Sequence, residues 1–209
     1  MKEIILIGGG GHALSLLESL PEDLIGTGYT ALSPSEKMPL PWLGDDGKDE
    51  ALLHLPASYH IAFIYGGAPR LEKRRALIER FEKAGVNFAT IIAPTAIVTP
   101  NTKVGNGVAI LAGAIVNRAI LEDHVVVNTG AIVEHDCKIG KNTFIGPGAV
   151  LGGGISVGEN GFIGLGARIR NGISIGKDIT VGMGSIVTSD LTMPGLYYGS
   201  PLKFHPFEQ

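Results

Sequence analysis

From Thr95 to Asp190 the chain divides into sixteen consecutive six-residue units, beginning TAIVTP, NTKVGN, GVAILA and ending ITVGMG, SIVTSD, with no residue left over. The third position of the unit is aliphatic in fourteen of the sixteen, with Lys103 and Ala109 as the exceptions. Glycine follows it directly at Gly140, Gly146, Gly152, Gly158, Gly164, Gly176 and Gly182. Six residues make one short strand and one turn, and an aliphatic residue recurring at one position aims every strand at a common axis. Such a solenoid is a parallel β-helix. Three strands per coil close a triangular turn of eighteen residues, so residues eighteen apart are expected to stack.

The first 92 residues are built differently. Lys2 to Ile7 (KEIILI) reads as a buried strand, Gly8 to Gly11 as a loop, and Ala13 to Leu20 as a helix with an apolar stripe at Leu14, Leu16, Leu17 and Leu20. Ile25 to Leu32 is a weaker strand and Ile61 to Tyr65 a stronger one, followed by Gly66 and Gly67. Over Arg70 to Lys83 the spacing predicts a helix with Leu71, Ala76, Leu77 and Phe81 inward and its charges outward. This β-α-β alternation predicts a small Rossmann-like parallel sheet. The expected domains are therefore 1–92, a small α/β unit, and 93–209, the β-helix with a short tail.

Gly8, Gly10 and Ala13 match the G-x-G-x-x-A form of the dinucleotide fingerprint, in which glycine lets the backbone approach a pyrophosphate. The acidic residue that should hold a ribose about 20 positions on is replaced by Gly28, Tyr29, Thr30 and Ala31. That argues against NAD and leaves either another phosphate-bearing ligand or a turn that only packs a helix on a strand. Asp45 and Asp46 are expected too late in the chain to substitute.

A formal net charge of -3 offers no electrostatic case for nucleic acid, and no run of apolar residues is long enough to span a membrane. One cysteine, Cys137, forms no internal disulfide, and it is expected to be a small packing residue. The expected location is the cytoplasm. His124 and His135 are 11 residues apart with no third histidine nearby, so no metal is expected; His124 is expected to be a turn residue.

The order IGGGGHA, YGGA before a basic helix, APTAIV, VNTGAIVEHDCKIG and a final GSPLK resembles the hexapeptide-repeat acyltransferases. Within them it is similar to the sialic-acid O-acetyltransferase and bacillosamine/perosamine N-acetyltransferase group, over nearly the whole chain. The resemblance implies a left-handed prism, a homotrimer, and acetyl-CoA lying between neighbouring prisms. It implies that His135 is a general base oriented by Asp136, with Glu134 the second choice of partner. It also implies that Gly8, Gly9, Gly10, Gly11, His12, Gly66 and Asn128 help hold a nucleotide-linked sugar, and that Gly153, eighteen residues after His135, contacts the acetyl group. Coenzyme contacts are expected at Gly164, Gly182 and Met183, with Lys203 as a phosphate partner. Two departures stand out: the group's acidic pair after the second strand is absent, and a second histidine nine residues after the base is Phe144.

Acyl transfer from a thioester needs a proton removed from the attacking amine or hydroxyl, which a neutral imidazole does at pH 7. A carboxylate on its other nitrogen fixes the tautomer. The expected activity is acetyl-CoA-dependent N-acetylation of a nucleotide-linked 4-amino-4,6-dideoxy sugar by direct transfer. The alternatives are O-acetylation of a sialic-acid-like sugar, or a non-enzymatic trimeric scaffold that binds sugar nucleotides.

Overall fold

The computed structural model describes residues 1–62, 71–199 and 203–206. Strand β1 (Lys2–Ile7) lies between β2 (Leu24–Thr30) and β3 (Ser58–Ile61), all parallel. Helix α1 (Gly11–Leu17) starts two residues before the expected Ala13 and stops short of Leu20, one residue from Pro21, where the ring disfavours helical backbone. The strand expected over 61–65 begins three residues earlier at Ser58, and 63–65 fall outside the described residues. Ile4, Leu6, Ala13, Leu16 and Tyr29 pack on one side of the sheet, and Ile5, Ile7, Tyr59, Ile61, Ile78 and Phe81 on the other.

Helix α2 (Glu72–Lys83) corrects one expectation. Ala76 is exposed, Ile78 takes the buried position, and a charge points inward: Arg74 is 1% exposed. Its Nη1 donates to the carbonyl of His124 at 2.9 Å and to Asn142 Oδ1, and its Nη2 donates to the carbonyl of Ile61 at 3.4 Å. The partners lie 50 and 68 residues further along the chain, so no local spacing of charges reveals them.

From β4 (Ile91–Ile92) to β20 (Ile186–Val187) short strands wind a left-handed triangular prism. Its first face carries β4, the second begins with β5 (Ile97–Val98) and the third with β6 (Lys103–Val104). Each strand turns one aliphatic residue inward, but the register is interrupted once. In the first four units the inward residues are Val98, Val104, Ile110 and Val116; then comes a five-residue step to Leu121, followed by Val127, Val133, Ile139 and onward in sixes. Across the short step residues pair seventeen apart, as in Lys103↔Ile120 and Ile115↔Ile132, and above it eighteen apart, as in Lys138↔Ser156. Lys103 and Ala109 are therefore outward residues, not imperfect inward ones. With the slip included, every inward position is aliphatic.

The N-terminal unit covers the first face, where Ile91, Ala109, Val126 and Phe144 share a core with Leu6, Leu16 and Tyr29. The third face is mostly polar, with Lys103, Lys138, Ser156 and Ser174 outward and Ile120 the one apolar residue among them. The second face presents Ile97, Ile115, Ile132, Val150 and Ile186, interrupted by Arg168. Two of these, Ile97 and Ile186, are more than half exposed. Beyond the prism, β21 (Gly195–Tyr198) extends the first face and pairs antiparallel with β22 (Lys203–His205).

The junction between the two units holds three histidines. His124 does sit in a turn, with φ of 61°, but its side chain is buried against Phe88, and its Nε2 lies 3.1 Å from Glu82 Oε1. Lys141 Nζ also binds Glu82, at 2.8 Å. His60 is fully buried, with Nδ1 2.9 Å from the carbonyl of Ala89. Burial pushes His12 and His124 down to about 4 and His60 to about 3, with the Arg74 charge adding to each shift. All three are neutral at pH 7. Because their folded values lie below the unfolded one, the unfolded chain takes up protons first as pH falls. Stability is therefore complete above about pH 6.5 and declines below it, by up to about 1.4 kcal/mol per pH unit for each histidine. Thermal denaturation should show a flat Tm from pH 8 to 7 and a steepening fall from pH 6.5 to 5; a flat Tm across that lower window would contradict the assignment.

Candidate functional site

The second-to-third corner of the prism carries His135 and Asp136. Between β11 (Ile132–Val133) and β12 (Lys138–Ile139) the chain turns through Glu134, His135 and Asp136. His135 Nδ1 lies 2.9 Å from Asp136 Oδ2, and both side chains are more than half exposed. The bond assigns the Nδ1–H tautomer, leaving the Nε2 lone pair as proton acceptor. The same bond holds the Asp136 carboxyl below the usual carboxylate range. Asp136 has φ of 61°, in a corner position that the next two coils give to Gly154 and Gly172. Glu134 is engaged elsewhere: its Oε2 accepts from Asn117 Nδ2 at 3.0 Å and from the His135 backbone N–H at 3.2 Å. Asn117 lies directly beneath Glu134 because of the five-residue step, and sequence reasoning missed it for that reason.

Gly153 lies one coil above His135. A Cβ built on it would fall 2.6 Å from both Cε1 and Nε2 of the imidazole, so only glycine leaves the ring where it is. Cys137 is buried beside this turn, and burial pushes its thiol up, away from the thiolate a nucleophile needs.

The other residues singled out gather elsewhere. Asn128, mostly buried, stands on the first-to-second corner, with its Oδ1 accepting from the Thr129 N–H at 2.7 Å and its backbone N–H donating to Ile145. Above it climb Gly146, Gly164 and Gly182; a Cβ on Gly164 would fall 2.6 Å from the Met183 nitrogen. Met183 is 78% exposed beside this bare backbone column. Lys203 is exposed on β22, opposite Tyr198, whose Cβ packs against Gly182.

The glycine loop lies near the same corner, because the His12 ring meets Phe144 edge-on at 6.0 Å and Phe144 stacks on Phe162 at 5.2 Å. Gly8 has φ of 118°, and a Cβ on Gly9 would strike the Tyr29 ring, so those two glycines answer packing needs. Added Cβ atoms on Gly10 and Gly11 would meet nothing within 4 Å, which leaves that part of the loop open to a ligand. Gly66 lies outside the described residues.

The candidate residues thus gather at two separate places on one chain. His135, Asp136 and Gly153 stand on the corner opposite the first face, whereas the glycine loop, Asn128, Gly164, Gly182 and Met183 gather along the first face and its corner with the second. The apolar second face runs between them. Among the described residues no group of three or more His, Cys, Asp or Glu is placed to hold a metal, and no helix is long and apolar enough to cross a membrane.

The family described as bacterial transferase hexapeptide (six repeats) matches residues 118–153, and the hexapeptide repeat of succinyl-transferase matches residues 154–189. Among solved structures, PerB from Caulobacter crescentus, in complex with CoA and GDP-perosamine, is 34% identical over 98% of both chains with a TM-score of 0.88. The acetyltransferase domain of PglB from Neisseria gonorrhoeae FA1090, in complex with acetyl coenzyme A, is 27% identical over 98% of this chain and 99% of that one, with a TM-score of 0.84. WeeI from Acinetobacter baumannii AYE shares the fold at 22% identity and a TM-score of 0.78, covering 98% of this chain and all of that one. None of the curated proteins matches this chain.

Proposed function

The chain belongs to the hexapeptide-repeat sugar acyltransferase family, in the group that spans the sialic-acid O-acetyltransferases and the bacillosamine and perosamine N-acetyltransferases, and from that membership we propose that it transfers an acetyl group from acetyl-CoA to the amine of a nucleotide-linked 4-amino-4,6-dideoxy sugar. It is an acyltransferase. The observation that carries the finer reading is the His135 imidazole, bonded to Asp136 through Nδ1 and set against a glycine that leaves space beside Nε2.

In this reading the neutral sugar amine attacks the thioester carbonyl while Nε2 of His135 takes its proton. Asp136 keeps the ring in the required tautomer and stabilises the imidazolium that forms. The Gly153 N–H donates to the tetrahedral oxygen. As the carbon–sulfur bond breaks, the imidazolium returns its proton to the CoA sulfur, and the amide remains. No bond to the enzyme forms, in keeping with the raised Cys137 thiol.

The division of the candidate residues between two corners supports a homotrimer. Burying the apolar second face of one prism against a neighbour brings the first-to-second corner of one subunit toward the second-to-third corner of the next, so that each site draws on two chains. In that assembly residues 1–92 hold the sugar nucleotide through Gly10, Gly11 and His12, joined by Asn128 of the prism. The coenzyme runs past Gly164, Gly182 and Met183 toward Lys203.

The test is release of free CoA from acetyl-CoA in the presence of GDP-, UDP- and dTDP-linked 4-amino sugars, with free sialic acid alongside. The GDP-linked sugar comes first because PerB was solved with GDP-perosamine. Turnover with an amino sugar is the expected result; turnover with sialic acid alone would replace the amine by a hydroxyl acceptor.

A further inference from the structure

Trp42 is the single tryptophan of the chain, and its segment lies alongside β2 as an extra parallel strand. The Tyr29 N–H donates to Pro41 at 3.0 Å, the Leu43 N–H to Tyr29 at 2.9 Å, and the Ala31 N–H to Gly44 at 3.1 Å. The same pairing brings Asp46 to the end of β2, where its Oδ2 accepts from the Thr30 hydroxyl at 3.2 Å. Asp46 is only 5% exposed, however, and Thr30 is fully buried. This pair pins the segment from behind and offers nothing to a ligand. What faces outward at the end of β2 is Trp42, 41% exposed, beside Leu32, 78% exposed.

The indole is oriented without being covered. Its Nε1–H donates to the carbonyl of Ala31 at 3.0 Å, which satisfies the ring's polar atom and fixes its direction. Ala31 in turn adjoins the glycine loop, since a Cβ on Gly9 would lie 3.6 Å from the Ala31 Cβ. Open parallel sheets bind ligands beyond the carboxyl ends of their strands, and the loop after β1 and the aromatic after β2 share that edge. A diphosphate at the open Gly10 and Gly11 would have its nucleoside directed toward the neighbouring strand end, where the preset aromatic face stands.

We propose that Trp42 is the platform on which the base of the nucleotide-linked acceptor stacks, an inference that rests on the acceptor reading above. Stacking recognises the π-face that every base has, so this platform tolerates uracil, thymine and guanine and adds affinity without reading their edges.

Because Trp42 is the one tryptophan, its emission reports on the site directly. Titration of the intact protein with UDP, GDP and dTDP should give saturable quenching with each. Trp42→Ala should raise KM for the nucleotide sugar about tenfold or more while leaving kcat and the KM for acetyl-CoA unchanged, and Trp42→Phe should restore most of the loss. Unchanged emission under a nucleoside diphosphate that raises Tm would overturn the proposal and leave acyl transfer standing, as would an unaltered KM in Trp42→Ala. Saturable quenching without turnover of any amino-sugar nucleotide would support the platform and count against the acetyl-transfer reading. The wild-type titration keeps the test decisive even where the alanine variant folds poorly.

Discussion

His135→Ala should lower kcat by about 10²- to 10⁴-fold, the usual contribution of a positioned proton acceptor, with Tm unchanged and acetyl-CoA still bound. Fold and chemistry separate cleanly at this residue. Its side chain is 57% exposed and packs into no core, so its removal costs contacts only with Asp136 and the Gly153 backbone. Gly153→Ala should produce a loss of the same kind with the histidine still present, because the new methyl occupies the position of the ring and drives it off its bond to Asp136. Asp136→Asn is the milder variant: asparagine accepts the left-handed backbone at this corner, and the change removes the charge that stabilises the imidazolium. Steady-state kinetics with acetyl-CoA and the amino sugar measure all three. Full activity in His135→Ala would sink the proton-transfer role.

Arg74→Ala should cost about 3 to 5 kcal/mol of stability, among the largest single effects expected anywhere in the chain. Burial pushes the guanidinium down to about 9, which leaves it charged at pH 7 in a site closed to water. It is held there by the carbonyls of His124 and Ile61 and the side-chain oxygen of Asn142, so it joins helix α2 to the prism at two points. Truncation opens a cavity and leaves those acceptors buried without a donor. Tm should fall by about 6 to 20 °C, at roughly 2 to 4 °C per kcal/mol for a chain of this size. Arg74→Lys should recover only part of the loss, since one ammonium cannot reproduce the fork. A change within about 1 kcal/mol in Arg74→Ala would show that the junction is held by apolar packing alone.

The hexad pattern made the prism legible, because burial of one aliphatic residue per strand is a local property repeated along the chain. The same periodicity correctly placed Gly153 over His135, since both lie above the five-residue step. Below the step the arithmetic is out by one residue. Its only trace in the sequence is the pair Lys103 and Ala109, which read as tolerated exceptions while Val104 and Ile110 held the inward positions. Nothing local marks the slip, because Ile115 and Val116 are equally apolar and either could face the axis.

Arg74 illustrates the opposite case. In a helix of spacing RLEKRRALIERFEK its charge belongs on the solvated side by every local rule, and it turns inward only because the prism corner presents a carbonyl and an asparagine there. Asp46 is similar: its distance in sequence from Thr30 says nothing about a loop that folds back onto β2.

Periodic burial, the glycine loop and the pairing of His135 with its next-door carboxylate were all written into the chain, since each depends on residues adjacent in sequence or a fixed number of rungs apart. Tertiary structure alone decided which charges are buried, that the candidate site residues divide between two corners of the prism, and that the apolar second face lies between those corners. Those outcomes follow from contacts between segments tens of residues apart, whose desolvation and hydrogen bonding are set only once the two units have packed together.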